Sequence, residues 1–77
     1  GKLNDKIKEM DTDKLIEELL DKKGGMVSLA RQELRRRYIE ETEEDRTKIA
    51  LAFAQSSLRD NNWLESQMRK ELFGVKD

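Results

Sequence analysis

The 77-residue sequence contains no cysteine, histidine or proline, and each absence excludes a class of structure or chemistry. Without cysteine there is no disulfide framework, thiolate nucleophile or zinc knuckle. Without histidine there is no Ser-His triad, no imidazole metal ligand and no side chain that titrates near neutral pH in an ordinary environment. Without proline, long helices run uninterrupted. We therefore expect a protein that is not an enzyme and that binds neither a cofactor nor a metal.

Long hydrophobic runs and an excess of one charge are also missing. The longest apolar run, Ile49 to Ala54, has six residues and is too short to span a bilayer. Sixteen basic and seventeen acidic residues leave a net charge of −1, so no global field draws the chain to nucleic acid or to an anionic membrane. We expect a cytoplasmic protein without a membrane partner.

The apolar residues that are present recur at helical spacing. They make up 35% of the chain, against 43% for charged residues. The pattern predicts a single all-α domain of four to five antiparallel helices, arranged as two helical hairpins in a HEAT-like fold or a small helical bundle. Residues 1–12 would form a short N-terminal helix that frays, residues 13–41 the first hairpin and residues 42–74 the second.

Polar residues and glycines mark the expected helix ends. The predicted boundaries are an N-cap within Asp11-Thr12-Asp13, a stop at Gly24-Gly25, an N-cap at Thr42, a turn at Asn61-Asn62 that opens a capping box with Glu65, and a C-terminal glycine at Gly74. The apolar residues of the helix that follows Thr42 cover most of its circumference, so we expect other helices to contact it from more than one side. The predicted centre of the core comprises Leu19, Leu20, Ala30, Leu34, Ile49, Phe53, Leu58, Leu64, Met68 and Leu72.

Two segments of the chain resemble each other at an offset of 38 residues. Leu15–Leu34 then lies on Phe53–Leu72 with five identities, and Gly24-Gly25 falls on Asn62-Trp63 at the expected turn. A repeat near forty residues with two helices per unit is typical of stacked helical hairpins.

This pattern resembles HEAT repeats, whose second helix opens after an Asp-containing turn with an apolar residue, followed by small and apolar residues at helical spacing. The matching residues are Asp21, Met26, Ala30 and Leu34 in the first unit and Leu64, Met68 and Leu72 in the second. The turn proline is missing, and Arg59 occupies the second turn's Asp position. The resemblance covers about residues 13 to 73 and implies a scaffold that presents helix faces to partner proteins. Because two units are fewer than such arrays need, it also implies a fragment of a larger protein, a stand-alone variant or self-association.

The densest basic group lies on one predicted helix, at Arg31, Arg35, Arg36 and Arg37. Such a helix could lie along phosphates, which makes a small nucleic-acid-binding regulator that uses the Arg31–Arg37 helix the alternative function. The competing interpretation is that Glu33 pairs with Arg37 and that the acidic stretch after Ile39 neutralises the rest. On that interpretation Arg31, Arg35 and Arg36 are mostly exposed.

Three further patterns have simpler explanations. Asp11-Thr12-Asp13 lacks the glycine and ligand ladder of a calcium loop and reads as a helix cap. A helix-turn-helix drawn from Ile49 through Asn62 into the last helix lacks the small turn residue and would place glutamates on the recognition helix. Ser56 and Ser57 have neither a histidine base nor a glycine-rich turn, so they do not form a nucleophile site.

We therefore expect a small helical module that binds another protein or a copy of itself. An exposed aromatic residue near a helix end could anchor such a partner, although a core position is the competing interpretation for each aromatic residue. The candidate partner-binding residues are Arg31, Arg35, Arg36, Tyr38, Trp63 and Phe73.

Overall fold

The computed structural model describes residues 2–21, 23–40 and 43–74, with the side chains of residues 43 and 44 excepted, and in these ranges the chain forms five α-helices and no strand. The helices are α1 (Lys2–Glu9), α2 (Thr12–Leu20), α3 (Val27–Glu40), α4 (Glu43–Gln55) and α5 (Leu58–Phe73). The predicted all-α class is confirmed, and the helices form a small bundle. None of these helices combines the length and apolar content that a membrane span requires.

Two of the predicted helix ends, at Asp11 and Gly74, lie where the sequence marks them, whereas α2 ends at Leu20, before the predicted stop at Gly24-Gly25. Asp11 is the N-cap of α2, in extended conformation, although its side chain makes no capping hydrogen bond. The chain turns after α2 where the amide of Gly24 donates to the carbonyl of Asp21 at 3.0 Å. Gly74 ends α5 in the left-handed conformation, with φ of 66°, as predicted for a C-terminal glycine. The predicted N-cap at Thr42 lies outside the described residues.

The predicted turn at Asn61-Asn62 is wrong, because α4 ends at Gln55 and α5 already begins at Leu58. Ser57 is the N-cap of α5, and its hydroxyl accepts a hydrogen bond from the amide of Asp60 at 3.2 Å. A serine followed three residues later by an acidic residue satisfies the first free amides of a helix, so the helix starts there despite the two asparagines that follow. The proposed capping box with Glu65 therefore lies inside a continuous helix.

The core contains six of the ten predicted residues, namely Leu19, Ala30, Leu34, Ile49, Phe53 and Leu64. The other four are wrong: Leu20 is 39% exposed, Leu58 75%, Met68 47% and Leu72 77%. Leu20 and Leu58 are terminal residues of their helices, and the other two lie on a face of α5 that no described helix covers. The core also includes residues outside the predicted set, namely Ile7, Leu15, Tyr38 and Ala52.

Helix α4 holds the bundle together, since it packs against α2, α3 and α5, while α2 also packs on α3 and α1 on α3. The prediction that this helix is contacted from more than one side is confirmed. Its apolar circumference is nevertheless not fully buried, because Leu51 is 59% exposed and Ala54 is also exposed. The division into hairpins at residues 13–41 and 42–74 stays a prediction.

The 38-residue register does not relate two equivalent hairpins. Helix α5 runs without a break over Asn62 and Trp63, where the register requires the turn that follows α2. Leu34 is fully buried, whereas its counterpart Leu72 is 77% exposed. The HEAT-like resemblance therefore stays a hypothesis, but the 38-residue alignment that suggested it does not correspond to two equivalent hairpins.

Candidate functional site

Asp60, in the first turn of α5, forms ion pairs with two arginines of α3. Its side chain is fully buried. The Nε of Arg31 donates to Asp60 Oδ1 at 2.6 Å, and a terminal nitrogen of Arg35 lies 3.9 Å from the same oxygen. A buried carboxylate that has cationic partners remains charged and holds its helices in a fixed register.

The second oxygen of Asp60 accepts hydrogen bonds from two serine hydroxyl groups in the turn between α4 and α5. Ser56 donates to Oδ2 at 2.8 Å and Ser57 donates to the same atom at 3.2 Å. Burial alone would raise the pKa of Asp60, but the hydrogen bonds from Arg31, Ser56 and Ser57 outweigh it, and the pKa lies below its ordinary value. The two serines therefore have a structural role in what we call the Asp60 cluster: Asp60, Arg31, Arg35, Ser56 and Ser57.

Glu33 is a second buried carboxylate, and it binds two arginines within its own helix, α3. Arg36 donates to both of its oxygens, at 3.0 and 2.6 Å, and Arg37 Nε donates to one of them at 2.8 Å. The hydrogen bond from Arg36 lowers the pKa of Glu33 despite the opposing effect of burial. Arg37 is itself buried and also donates to the hydroxyl of Thr12 and the carbonyl of Lys8, both at 3.1 Å. The predicted pair of Glu33 with Arg37 is confirmed.

The basic group of α3 is thus largely engaged inside the molecule. Arg36, which is 46% exposed at its side chain, also contacts Glu40 at 2.5 Å. The expected exposure is wrong for Arg31 and Arg35, whose side chains are only 14% and 27% exposed, because the carboxylate of Asp60 draws both toward α5. Each of these guanidinium groups has a carboxylate within 4 Å, so phosphate binding would have to displace an existing partner.

The aromatic candidates separate into two core residues and one exposed residue. Trp63 meets Tyr38 edge to face with ring centroids 5.7 Å apart, and meets Phe53 in the same way at 5.5 Å. The guanidinium carbon of Arg35 lies 5.1 Å from the centre of the Trp63 ring. Tyr38 is buried and Trp63 is half-buried, so both belong to the core, whereas Phe73 at the end of α5 is 68% exposed.

An open apolar groove of about 670 Å³ runs between α4 and α5. Its lining residues are Tyr38, Arg46, Thr47, Ala50, Leu51, Ala54, Leu64, Met68, Glu71 and Leu72. The alanines keep the α4 side shallow because their side chains end at Cβ. Leu51, Met68 and Leu72 line the groove while keeping 59%, 47% and 77% of their surface exposed. We call this feature the α4–α5 groove.

The charged residues of the α4–α5 groove neutralise each other. Arg46 forms an ion pair with Glu71, and its guanidinium carbon lies 4.5 Å from the centre of the Tyr38 ring. Burial would lower the pKa of Arg46, but the charges and hydrogen bonds of Glu71 and Tyr38 together outweigh it and raise that pKa. Because these two charges pair with each other, the remaining surface of the groove is mainly apolar. Among the described residues no group of acidic side chains could hold a metal ion.

Sequence patterns contain signals for both features that the predictions missed. Apolar residues cover more of the α4 surface than one core-facing stripe requires. Leu51 is one of the extra apolar residues, and it lines the groove. The spacing of Ser57 and Asp60 matches a helix start and could have located the buried carboxylate. Of the six candidate residues, Tyr38 is the one that lines the groove, and the other five lie elsewhere.

Comparison with known proteins assigns no family to this chain. No protein-family model, no curated protein and no solved structure matches it. What the protein binds must therefore be inferred from the chemistry of its own surface.

Proposed function

We propose that this protein is a non-enzymatic interaction module that binds an apolar helix in the α4–α5 groove. The observation that carries the proposal is the exposure of Leu51, Met68 and Leu72 around one continuous hollow. Each square ångström of apolar surface left in water forgoes about 25 cal/mol of burial free energy. Contiguous apolar patches on small proteins typically mark binding surfaces, whereas single exposed apolar residues are common and carry no such meaning.

A helix is the partner shape that the groove favours. Its two walls are helices, and the lining residues of α5, Leu64, Met68 and Leu72, recur every fourth position. These residues span about 12 Å along the helix axis, which is roughly two turns. A partner helix with apolar residues at helical spacing would place its own side chains between them, as in other helix-in-groove complexes.

The alternative, a nucleic-acid-binding regulator that uses the Arg31–Arg37 helix, has less physical support. Arg31 and Arg35 are directed at Asp60, and Arg36 and Arg37 bind Glu33. Binding to phosphates would give up these charge-assisted hydrogen bonds, several of which are partly buried. The net charge of −1 adds no long-range attraction.

Selection from a library of helical peptides displayed on phage tests the proposal. Peptides that bind the wild type should lose roughly tenfold or more affinity for Met68→Glu and Leu72→Glu, because a buried unpaired charge costs more than 1.4 kcal/mol. Ile39→Glu is the matched control, since Ile39 is equally apolar and 61% exposed but does not line the groove. Binding that survives both groove substitutions would contradict the proposal. Salt-sensitive binding to DNA or RNA at about 150 mM salt would support the alternative.

A further inference from the structure

We propose that the occupant of the α4–α5 groove is a second copy of this chain. The two α4–α5 faces would pack about a two-fold axis, with the α5 helices antiparallel across it and the axis crossing between them at a height midway between Glu65 and Arg69. This inference rests on the proposed function of the groove and adds the identity of the partner. Two features of the face carry it: its shape and the signs of its charges.

The face contains both a ridge and a hollow. Met68 and Leu72 project from α5, while Ala50 and Ala54 leave the neighbouring wall of α4 low. In a two-fold interface every contact occurs twice, so the ridge of one copy enters the hollow of the other and its own hollow receives the partner's ridge. Because this face has both the ridge and the hollow, it is complementary in shape to a second copy of itself.

The charges beside the ridge are also self-complementary. Glu65 and Arg69 lie four residues apart on α5, and the helical repeat places them beside Met68 and Leu72 on the outer side. Both side chains are exposed, and neither makes an ion pair or hydrogen bond within residues 2–21, 23–40 and 43–74. In antiparallel α5 helices related by an axis at the height midway between these two residues, Glu65 of each copy faces Arg69 of the other.

Four described charges on this face balance one another. Arg46 and Glu71 are paired with each other, and Glu65 and Arg69 add one exposed acid and one exposed base on α5. These four charges leave no surplus that would attract a partner of one sign. Two copies with a net charge of −1 each repel one another only weakly.

Charge-reversal variants studied by sedimentation velocity test the pairing directly. Wild type should dimerise, and both Glu65→Arg and Arg69→Glu should weaken dimerisation by roughly tenfold or more, because each places like charges opposite one another twice. The double variant Glu65→Arg Arg69→Glu should dimerise as wild type does. An equimolar mixture of the two single variants should form a heterodimer, since every facing pair is then attractive. Lys6→Glu, an exposed reversal on α1, should change nothing.

Several outcomes would overturn the inference. A wild type that remains monomeric up to about 500 μM has no dimer of useful affinity. A dimer that is unaffected by Leu72→Glu uses another surface, and single variants that fail to form a heterodimer lack the antiparallel pairing. Helical content and the fluorescence of Trp63 establish that each variant is folded. Because Arg69→Glu leaves the groove lining intact, peptide binding by this variant tests the proposed function independently. A wild type that stays monomeric, together with binding of helical peptides by both proteins, would refute the second copy and leave the proposed function standing.

Discussion

Asp60 connects three parts of the chain through one carboxylate. It lies in the first turn of α5, accepts hydrogen bonds from Ser56 and Ser57 in the turn after α4, and accepts another from the guanidinium of Arg31 in α3. Removing one partner of a buried ion pair is more destabilising than the net contribution of the pair, because the remaining charge is left without compensation. At the residue scale, the fold therefore depends on Asp60 more than on the exposed ion pairs.

Replacing Asp60 with alanine should lower the free energy of unfolding by about 3 kcal/mol, because Arg31 then lacks its counter-charge and the hydroxyls of Ser56 and Ser57 lose their acceptor. Urea denaturation followed by Trp63 fluorescence measures this loss. Glu9→Ala is the control, since Glu9 is exposed on α1 and unpaired within the described ranges, and its effect should stay within about 0.5 kcal/mol. A loss below about 1 kcal/mol for the Asp60 variant would mean that water compensates Arg31.

At the scale of elements, the boundary between α4 and α5 shows what sequence patterns predict well and what they miss. Hydrophobic spacing predicted an all-α chain, and Gly74 was correctly placed at the end of α5. The turn was placed at Asn61-Asn62 because asparagine disfavours helix interiors, but one capping serine outweighs that weak preference. Exposure is harder to predict: Leu72 has a core-like position in the pattern, but it lies on a face of α5 that no described helix covers.

The cap itself gives an element-scale prediction. Ser57→Ala should cost about 1 kcal/mol, because the amide of Asp60 loses its acceptor and Asp60 loses a hydroxyl donor. Thermal unfolding followed by circular dichroism measures the change. Ser28→Ala is the matched control, since Ser28 is exposed within α3 and alanine favours helices, so its effect should be small or slightly stabilising. Equal effects of the two substitutions would show that the Ser57 hydroxyl contributes nothing specific.

At the scale of the whole molecule, the free energy of unfolding should decrease at acidic pH and change little with pH near neutrality. Hydrogen bonds hold the pKa values of Glu33 and Asp60 below their ordinary values of 4.5 and 3.8. A depressed pKa means that the folded protein binds fewer protons than the unfolded chain, so the contribution is complete above the unfolded pKa and is lost as the pH falls through the folded one. With no histidine in the chain, no side chain in an ordinary environment titrates between about pH 6 and 8.

Thermal midpoints recorded from neutral pH down to about pH 2.5 test this expectation. The midpoint should remain steady down to about pH 5 and then decline as the carboxylates become protonated. Asp60→Asn should start lower and decline less steeply, because one of the depressed groups is gone. A midpoint that rises between pH 5 and pH 3 would contradict the assignment.

The link between Arg31 and Asp60 also bears on how quickly the protein folds and unfolds. Three of the helix pairs that pack together, α2 with α3, α3 with α4 and α4 with α5, are neighbours in sequence, and chains dominated by local contacts fold within microseconds to milliseconds. The link instead joins α3 to α5 across α4 and can form only when these three helices have assembled. Stabilisation that is absent from the folding transition state slows unfolding without accelerating folding. The Asp60 carboxylate therefore acts mainly on the lifetime of the folded state, and a chain without it would fold as fast but open sooner.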